Sequence, residues 1–437
     1  MKHTVKRCAA LLAAGGMLGC LAGCQASGAD WRPHPTSPFE GESKLELAAV
    51  DGLPEDFILG MDASCVPALE AGGVRYYDRA GNEADVFAIL NQSGINYIRV
   101  RVWNDPFDAE GHGYGGGNCD IENAVLIGRR ATAQGMKLLV DFHYSDFWAD
   151  PAKQVAPKAW QGMTLEQKAD ALYRYTKESL QRLVDEGVEI GMVQIGNETN
   201  GALCGEVAVG DDWESVVALM SQGAKAVREV CPGALVVIHF SNPEKTGRYA
   251  HYARMLEKYS LDYDVFASSY YPYWHGTLDN LSSLLSEIAL SYGKKVMVAE
   301  TSYAYTLEDT DFFGNTLGTT ATPVEGYPFS VQGQADFVRD VVDTVVNRTE
   351  GGIGVFYWEG TWISVGTHSY EQNRQSWERF GTGWASSFAA EYDAEDAGRW
   401  YGGCAVENQA LFDEHGRATD ALCVFALMRD SQREGIE

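Results

Sequence analysis

Glu198 closes one apolar run, Gln194-Ile195-Gly196-Asn197-Glu198, and Glu300 closes another, Val296-Met297-Val298-Ala299-Glu300. A carboxylate at the end of an apolar run is costly unless it has partners or work to do. Two of them brought together can flank one scissile bond. One, as an acid, protonates a leaving oxygen, while the other attacks the neighbouring carbon, which is the chemistry of glycoside hydrolysis. Asn197 stands directly before the first glutamate, and aromatic residues, Tyr271 and Trp358, end two further runs. Arg101, His143 and Asp62 hold the equivalent polar position in others.

Such residues need elements that carry them to one place. Short β-branched or aromatic runs occupy 57–64, 95–103, 137–145, 190–198, 234–241, 265–274, 295–302 and 352–360. Each is nearly continuous in apolar residues and turns polar at its C-terminal end, as strands of a parallel sheet buried on both faces do. Between them the 3.6-residue period predicts helices over 121–134, 165–187, 213–230, 278–292 and 330–348, with Gly187 as a stop for the second. Eight strands with intervening helices predict an α/β fold, a single (β/α)8 barrel. Its C-terminal rim is where active sites sit. A doubly wound open sheet is the competing reading, but it more often has fewer strands. On the barrel, the ends of the fourth and seventh strands face each other across the mouth.

Several segments then carry a resemblance: GMDAS (60–64), YIRVRVWNDP (97–106), DFHYSDFWADPAKQ (141–154), QIGNETNG (194–201), SYYPYWHG (269–276), AETSYAYT (299–306) and WYGGCAVENQALFDEHG (400–416). Asn-Glu ending the fourth strand and Glu ending the seventh resemble the large clan of retaining (β/α)8 glycosidases. More narrowly, the chain resembles glycoside hydrolase family 53, the endo-β-1,4-galactanases. The resemblance implies Glu198 as acid and then base, Glu300 as nucleophile, and Arg101 holding Glu300. It implies Asn197 on the sugar 2-hydroxyl, with His143, Tyr271 and Trp358 lining the subsite before the cleavage point and Asp62 binding a hydroxyl there. Aromatic faces at Trp148 and Trp274 would stack on pyranose rings. The substrate implied is the β-1,4-galactan backbone of type I arabinogalactan. Another retaining clan glycosidase (mannanase, xylanase or glucanase) and a non-catalytic glycan-binding surface lipoprotein are the alternatives.

The loop after the seventh strand spaces oxygen ligands as Asp309-x-Asp311-x-x-x-Asn315, like the opening of a calcium loop. The resemblance implies a structural calcium here, with the Phe313 carbonyl and Glu407 as further ligands. Glu407 stands where the family tends to have Asp. No organic cofactor is expected. Residues 1–23 read as a lipoprotein signal peptide: Lys2, Lys6 and Arg7, an apolar stretch, then Leu21-Ala22-Gly23-Cys24, which resembles a lipobox. Cys24 would carry the lipid, 24–50 would be a flexible tether and 51–437 the catalytic domain. The expected location is therefore extracytoplasmic, lipid-anchored at a bacterial cell surface. The 437-residue chain carries 34 Lys and Arg against 61 Asp and Glu, a net charge of −27, which excludes a phosphate backbone as partner but not a neutral glycan. A monomer is expected. Six cysteines follow Cys24, and sequence leaves open whether they pair or stay reduced.

Overall fold

The structure, a computed structural model, describes residues 44–366 and 369–429. The signal peptide, Cys24 and most of the expected tether lie outside the described residues. Eight parallel strands close into a barrel. They are β1 (Ile58–Asp62), β2 (Tyr97–Val102), β3 (Lys137–Phe142), β4 (Ile190–Ile195), β5 (Leu235–Phe240), β6 (Val265–Ser269), β7 (Lys295–Thr301) and β8 (Gly352–Tyr357). Each falls inside one of the eight apolar runs.

Alternate residues point inward, so each strand contributes one row to the barrel interior. The lower interior is apolar, with Ile58, Leu139, Met192, Val237, Met297 and Phe356 in one cluster. Two residues further along the same rows the character changes: Leu139 gives way to Asp141, Met192 to Gln194, Val237 to His239 and Ala267 to Ser269. These polar residues are all fully buried, forming a charged and hydrogen-bonded floor beneath the rim. Gly60 is required on β1, because a Cβ there would lie 2.1 Å from the Phe356 ring.

β7 breaks its own alternation. Ser268 pairs with Val298 but Ser269 pairs with Glu300, so β7 carries one extra residue against β6. A bulge of this kind re-aims the side chain that follows it. Ala299 packs in the interior cluster, and Glu300 also turns into the mouth.

The outer layer follows the helical periodicity. Two short helices, α1 (Val66–Ala71) and α2 (Val86–Gln92), precede α3 (Ile121–Ala133), α4 (Leu165–Asp185), α5 (Glu214–Val230), α6 (Arg248–Lys258), α7 (Leu278–Tyr292) and α8 (Val331–Asn347). α4 starts at a capping box, in which Thr164 and Gln167 satisfy each other's backbone N–H. It buries Leu172, Leu180 and Leu183 against the barrel.

One boundary differs from expectation. The tether ends early: Val50 donates to Met428 O (3.0 Å), and Gln332 exchanges hydrogen bonds with the backbone of Glu46 (both 3.1 Å), so residues 44–50 are packed on the barrel. The segment after β8 is long and structured. It carries α9 (Tyr370–Phe380) and builds a second apolar cluster over the mouth with Trp103, Trp358, Trp362, Trp377 and Trp384. The last helix is only Val424–Leu427. Cys65, Cys119, Cys204, Cys231 and Cys404 are buried free thiols. No helix among the described residues is long and apolar enough to cross a membrane.

Candidate active site

Glu198 follows β4 through a tight reversal, Gly196 at φ +83° and Glu198 itself at φ +45°. A non-glycine residue held there is strained, a cost that clusters at functional sites. Glu300 arrives from β7 by the bulge. Both carboxylates wall one cleft of about 680 Å³, counting the open space above it, together with Arg101, His143, Trp148, Asn197 and Trp358.

The two glutamates differ in their partners. Glu300 Oε1 lies 2.8 Å from Arg99 Nη1, and its Oε2 accepts from Tyr271 OH (3.0 Å). Among the described residues no cation pairs with Glu198; its Oε1 accepts from Ser269 Oγ (2.6 Å). Burial, and then the negative charge of Glu300, push Glu198 up to about 8. Burial raises Glu300 too, but the Arg99 guanidinium opposes it. The surroundings therefore favour the proton on Glu198 and the charge on Glu300.

Arg99, not Arg101, holds Glu300. Both point inward, because they share parity on β2, but Arg99 sits one layer deeper. It also reaches Asp62 Oδ2 (3.0 Å), Asp141 Oδ2 (2.8 Å), Asn197 Oδ1 (2.8 Å) and Gln194 Oε1 (3.3 Å). Arg101 lies at the rim level and pairs with Glu359, with its guanidinium 4.3 Å from the Trp148 ring centroid. A cation over an indole face holds that ring in place.

Asp62 is likewise corrected. It is fully buried, accepting from Ser64 Oγ (2.6 Å) and from Arg99, so it belongs to the floor and cannot meet a sugar hydroxyl. Trp274 does not wall the cleft; it is half-buried against Tyr271 and Tyr273. Tyr271 touches the site through its bond to Glu300. His143 lines the cleft, yet both ring nitrogens are taken: Nδ1 accepts from Trp103 Nε1 and Ala149 N (both 3.1 Å), and Nε2 faces Asp141 Oδ2 (3.1 Å). Asn197 gives one amide hydrogen to Ala149 O (2.9 Å), leaving the second for a ligand. Trp148 stacks on Trp362 (14° between planes) and donates to Trp384 O (3.0 Å).

Sequence reasoning passed over Asp150, Lys153, Trp362 and Trp384, which also wall the cleft. The last two sit in the segment after β8, where no periodic pattern marks a position. Arg99 did have a signal, the Arg-x-Arg spacing on one strand.

Asp309, Asp311 and Glu407 bring carboxylate oxygens within 4.8 Å of one another. Asp311 and Glu407 are buried, and burial pushes both up, Asp311 to about 7. Glu407 Oε1 accepts from Thr310 N and Asn315 Nδ2, whereas Glu407 Oε2 and Asn315 Oδ1 are buried without partners. Converging hard oxygens, two of them unsatisfied, fit a calcium ion.

The profile of Glycosyl hydrolase family 53 matches residues 58–425. The chain belongs to this family. The family 53 relatives include the endo-beta-1,4-galactanase of Bacillus subtilis (strain 168), 57% identical over 382 residues, covering 87% of this chain and 88% of that protein. They also include the arabinogalactan endo-beta-1,4-galactanase of Cellvibrio japonicus (strain Ueda107), 34% identical over 74% of this chain and 85% of that one. The solved family 53 catalytic domain of Ignisphaera aggregans superposes with a TM-score of 0.78 at 38% identity, covering 88% of this chain and 99% of that one. As a member of family 53 the protein is a glycosidase with the family's (β/α)8 barrel.

Proposed function

We propose that this family 53 glycosidase is a retaining endo-β-1,4-galactanase acting on the galactan backbone of type I arabinogalactan. The observation that carries the reading is the asymmetry of the two glutamates over one cleft: Glu300 clamped by Arg99, Glu198 without a cation. The galactanase relatives, above all that of B. subtilis, support the substrate. Glu300 attacks the anomeric carbon as Glu198 gives its proton to the glycosidic oxygen and the C–O bond breaks. Water then attacks the galactosyl ester, losing its proton to Glu198 and releasing Glu300. Asn197 offers its free amide hydrogen toward the 2-hydroxyl, and Trp358 presents a ring to the sugar's C–H face.

Digestion of linear β-1,4-galactan, followed by NMR of the fresh reducing ends, tests this directly. Internal cleavage with β-anomers appearing first is expected. Initial α-anomers would remove the covalent intermediate, and preference for mannan or xylan would remove the substrate. Glu198→Gln should cost about 10²–10⁴-fold in kcat/KM on galactan, and Glu300→Gln more.

In the same reading the chain works as a monomer, and calcium sits between Asp309, Asp311, the Phe313 carbonyl, Asn315 and Glu407. It would tie the loop after β7 to the segment after β8. The Leu-Ala-Gly-Cys24 motif supports an extracytoplasmic, lipid-anchored enzyme that releases products beside the cell. Labelled fatty acid incorporated into the wild type but not into Cys24→Ala is the expected result.

A further inference from the structure

Beneath Glu198 lies a pair of side chains that the reaction as described does not use. His239 projects from β5 and Ser269 from β6, and both are fully buried. His239 Nε2 is 2.9 Å from Ser269 Oγ, which is 2.6 Å from Glu198 Oε1. On its other side, His239 Nδ1 faces the Glu198 backbone N–H at 3.3 Å.

These contacts choose the tautomer. A buried N–H must find an acceptor, and Nδ1 is the acceptor placed for Glu198. Asn197 Oδ1, 3.0 Å from Nδ1, already accepts from Arg99 Nη2 at 2.8 Å. Gln194 Nε2 spends its hydrogens on Asp141 Oδ1 (2.6 Å) and Gly196 O (3.0 Å). With Nδ1 unprotonated, Nε2 carries the hydrogen and donates to Ser269 Oγ. The serine hydroxyl, with one hydrogen of its own, then has to donate to Glu198 Oε1.

We propose that His239 and Ser269 are positioning residues that lock Glu198 Oε1 as an acceptor and so assign the catalytic proton to Oε2. The inference rests on Glu198 being the acid/base. In the first half-reaction the proton leaves Oε2 for the glycosidic oxygen. In the second, Oε2 takes the proton of the attacking water, and the Ser269 bond strengthens as Glu198 becomes charged. Ser269, with the Ser241 hydroxyl also acting on Glu198, thus serves both halves as a fixed donor to Oε1 without any rotation of the carboxyl group.

The charged and titratable groups facing Glu198 are Glu300 from β7, Asp150 from the segment after β3, Tyr271 after β6 and Tyr249 on α6. His239 faces Arg99 and His143, and burial first, then these neighbours, hold it neutral. A donor to the ionised form lowers a carboxyl pKa. Ser269→Ala should therefore raise the basic limb of the kcat/KM–pH profile on galactan by about one unit. His239→Ala should move the limb the same way, and the double variant no further than Ser269→Ala alone. His239→Gln, which can still donate to Ser269, should bring the limb back.

A folded Ser269→Ala variant whose limb stays put or moves down overturns the relay, because a hydroxyl pointing at His239 would act with the opposite sign. Additive shifts in the double variant overturn it as well. If His239→Ala does not fold, Ser269→Ala decides alone. Glu198→Gln run in parallel separates the two levels. Turnover retained in Glu198→Gln sinks the acid/base assignment. Turnover lost there, with an unmoved limb in Ser269→Ala, sinks only the relay.

Discussion

Arg99 and Arg101 show how two like residues on one strand take different work. Arg99 is surrounded by Asp62, Asp141 and Glu300, and it supplies the cation that, with the Tyr271 hydroxyl, favours the ionised form of Glu300. Replacing it leaves buried carboxylates uncompensated. Arg99→Gln should cost about 3–5 kcal/mol in urea denaturation and move the acidic limb of kcat/KM upward, since loss of the cation raises the Glu300 pKa. Arg101→Lys should leave that limb in place and raise KM, because the planar guanidinium that both meets Glu359 and lies against the Trp148 ring is lost. An acidic limb that follows Arg101 instead would restore the original assignment. Glu198 sets the other edge of the profile. With its proton held up to about 8, activity should fall as pH rises through about 8, whereas the protonated group's share of stability is lost earlier, as pH climbs from about 4.5 to about 8.

At the level of elements, the barrel wall and the loop after β7 make separate demands. The β1–β8 seam closes tightly enough that Gly60→Ala would drive a methyl into Phe356. The expected loss is about 1–3 kcal/mol, measured as a lower urea midpoint. The loop after β7 is joined to the segment after β8 by Glu407, which meets both Thr310 and Asn315. Calcium should therefore raise the melting temperature and a chelator lower it by mass action. Glu407→Gln should abolish most of that difference. Melting curves superimposable with and without chelator would remove the ion. The helices needed no such help: α4, α5, α7 and α8 start and stop within about two residues of the positions their periodicity predicts.

For the molecule as a whole, charge and substrate are decoupled. A chain of −27 gains no electrostatic attraction toward a neutral polymer. The kcat/KM on galactan should change less than about twofold between low and moderate salt. A strong salt dependence would point to an anionic substrate instead. The segment after β8 adds Trp358, Trp362 and Trp384 to the cleft wall, where Trp148 also lies with the Arg101 guanidinium against its ring.

The strand count and the positions of Glu198 and Glu300 at strand ends followed from the chain alone. Period-2 and period-3.6 burial is a local property, written residue by residue. What the chain alone did not decide was depth and aim. Arg99 and Arg101 have the same parity and the same apolar neighbours, and only the closed barrel puts one layer below the other. Glu300 would point outward on an unbroken β7, and only the pairing of Ser269 with Glu300 reveals the extra residue that turns it in. Trp362 and Trp384 reach the mouth through irregular chain whose path is set by what it packs against. Local patterns fix which face a residue is on, whereas contacts between segments distant in the chain fix which side chains meet.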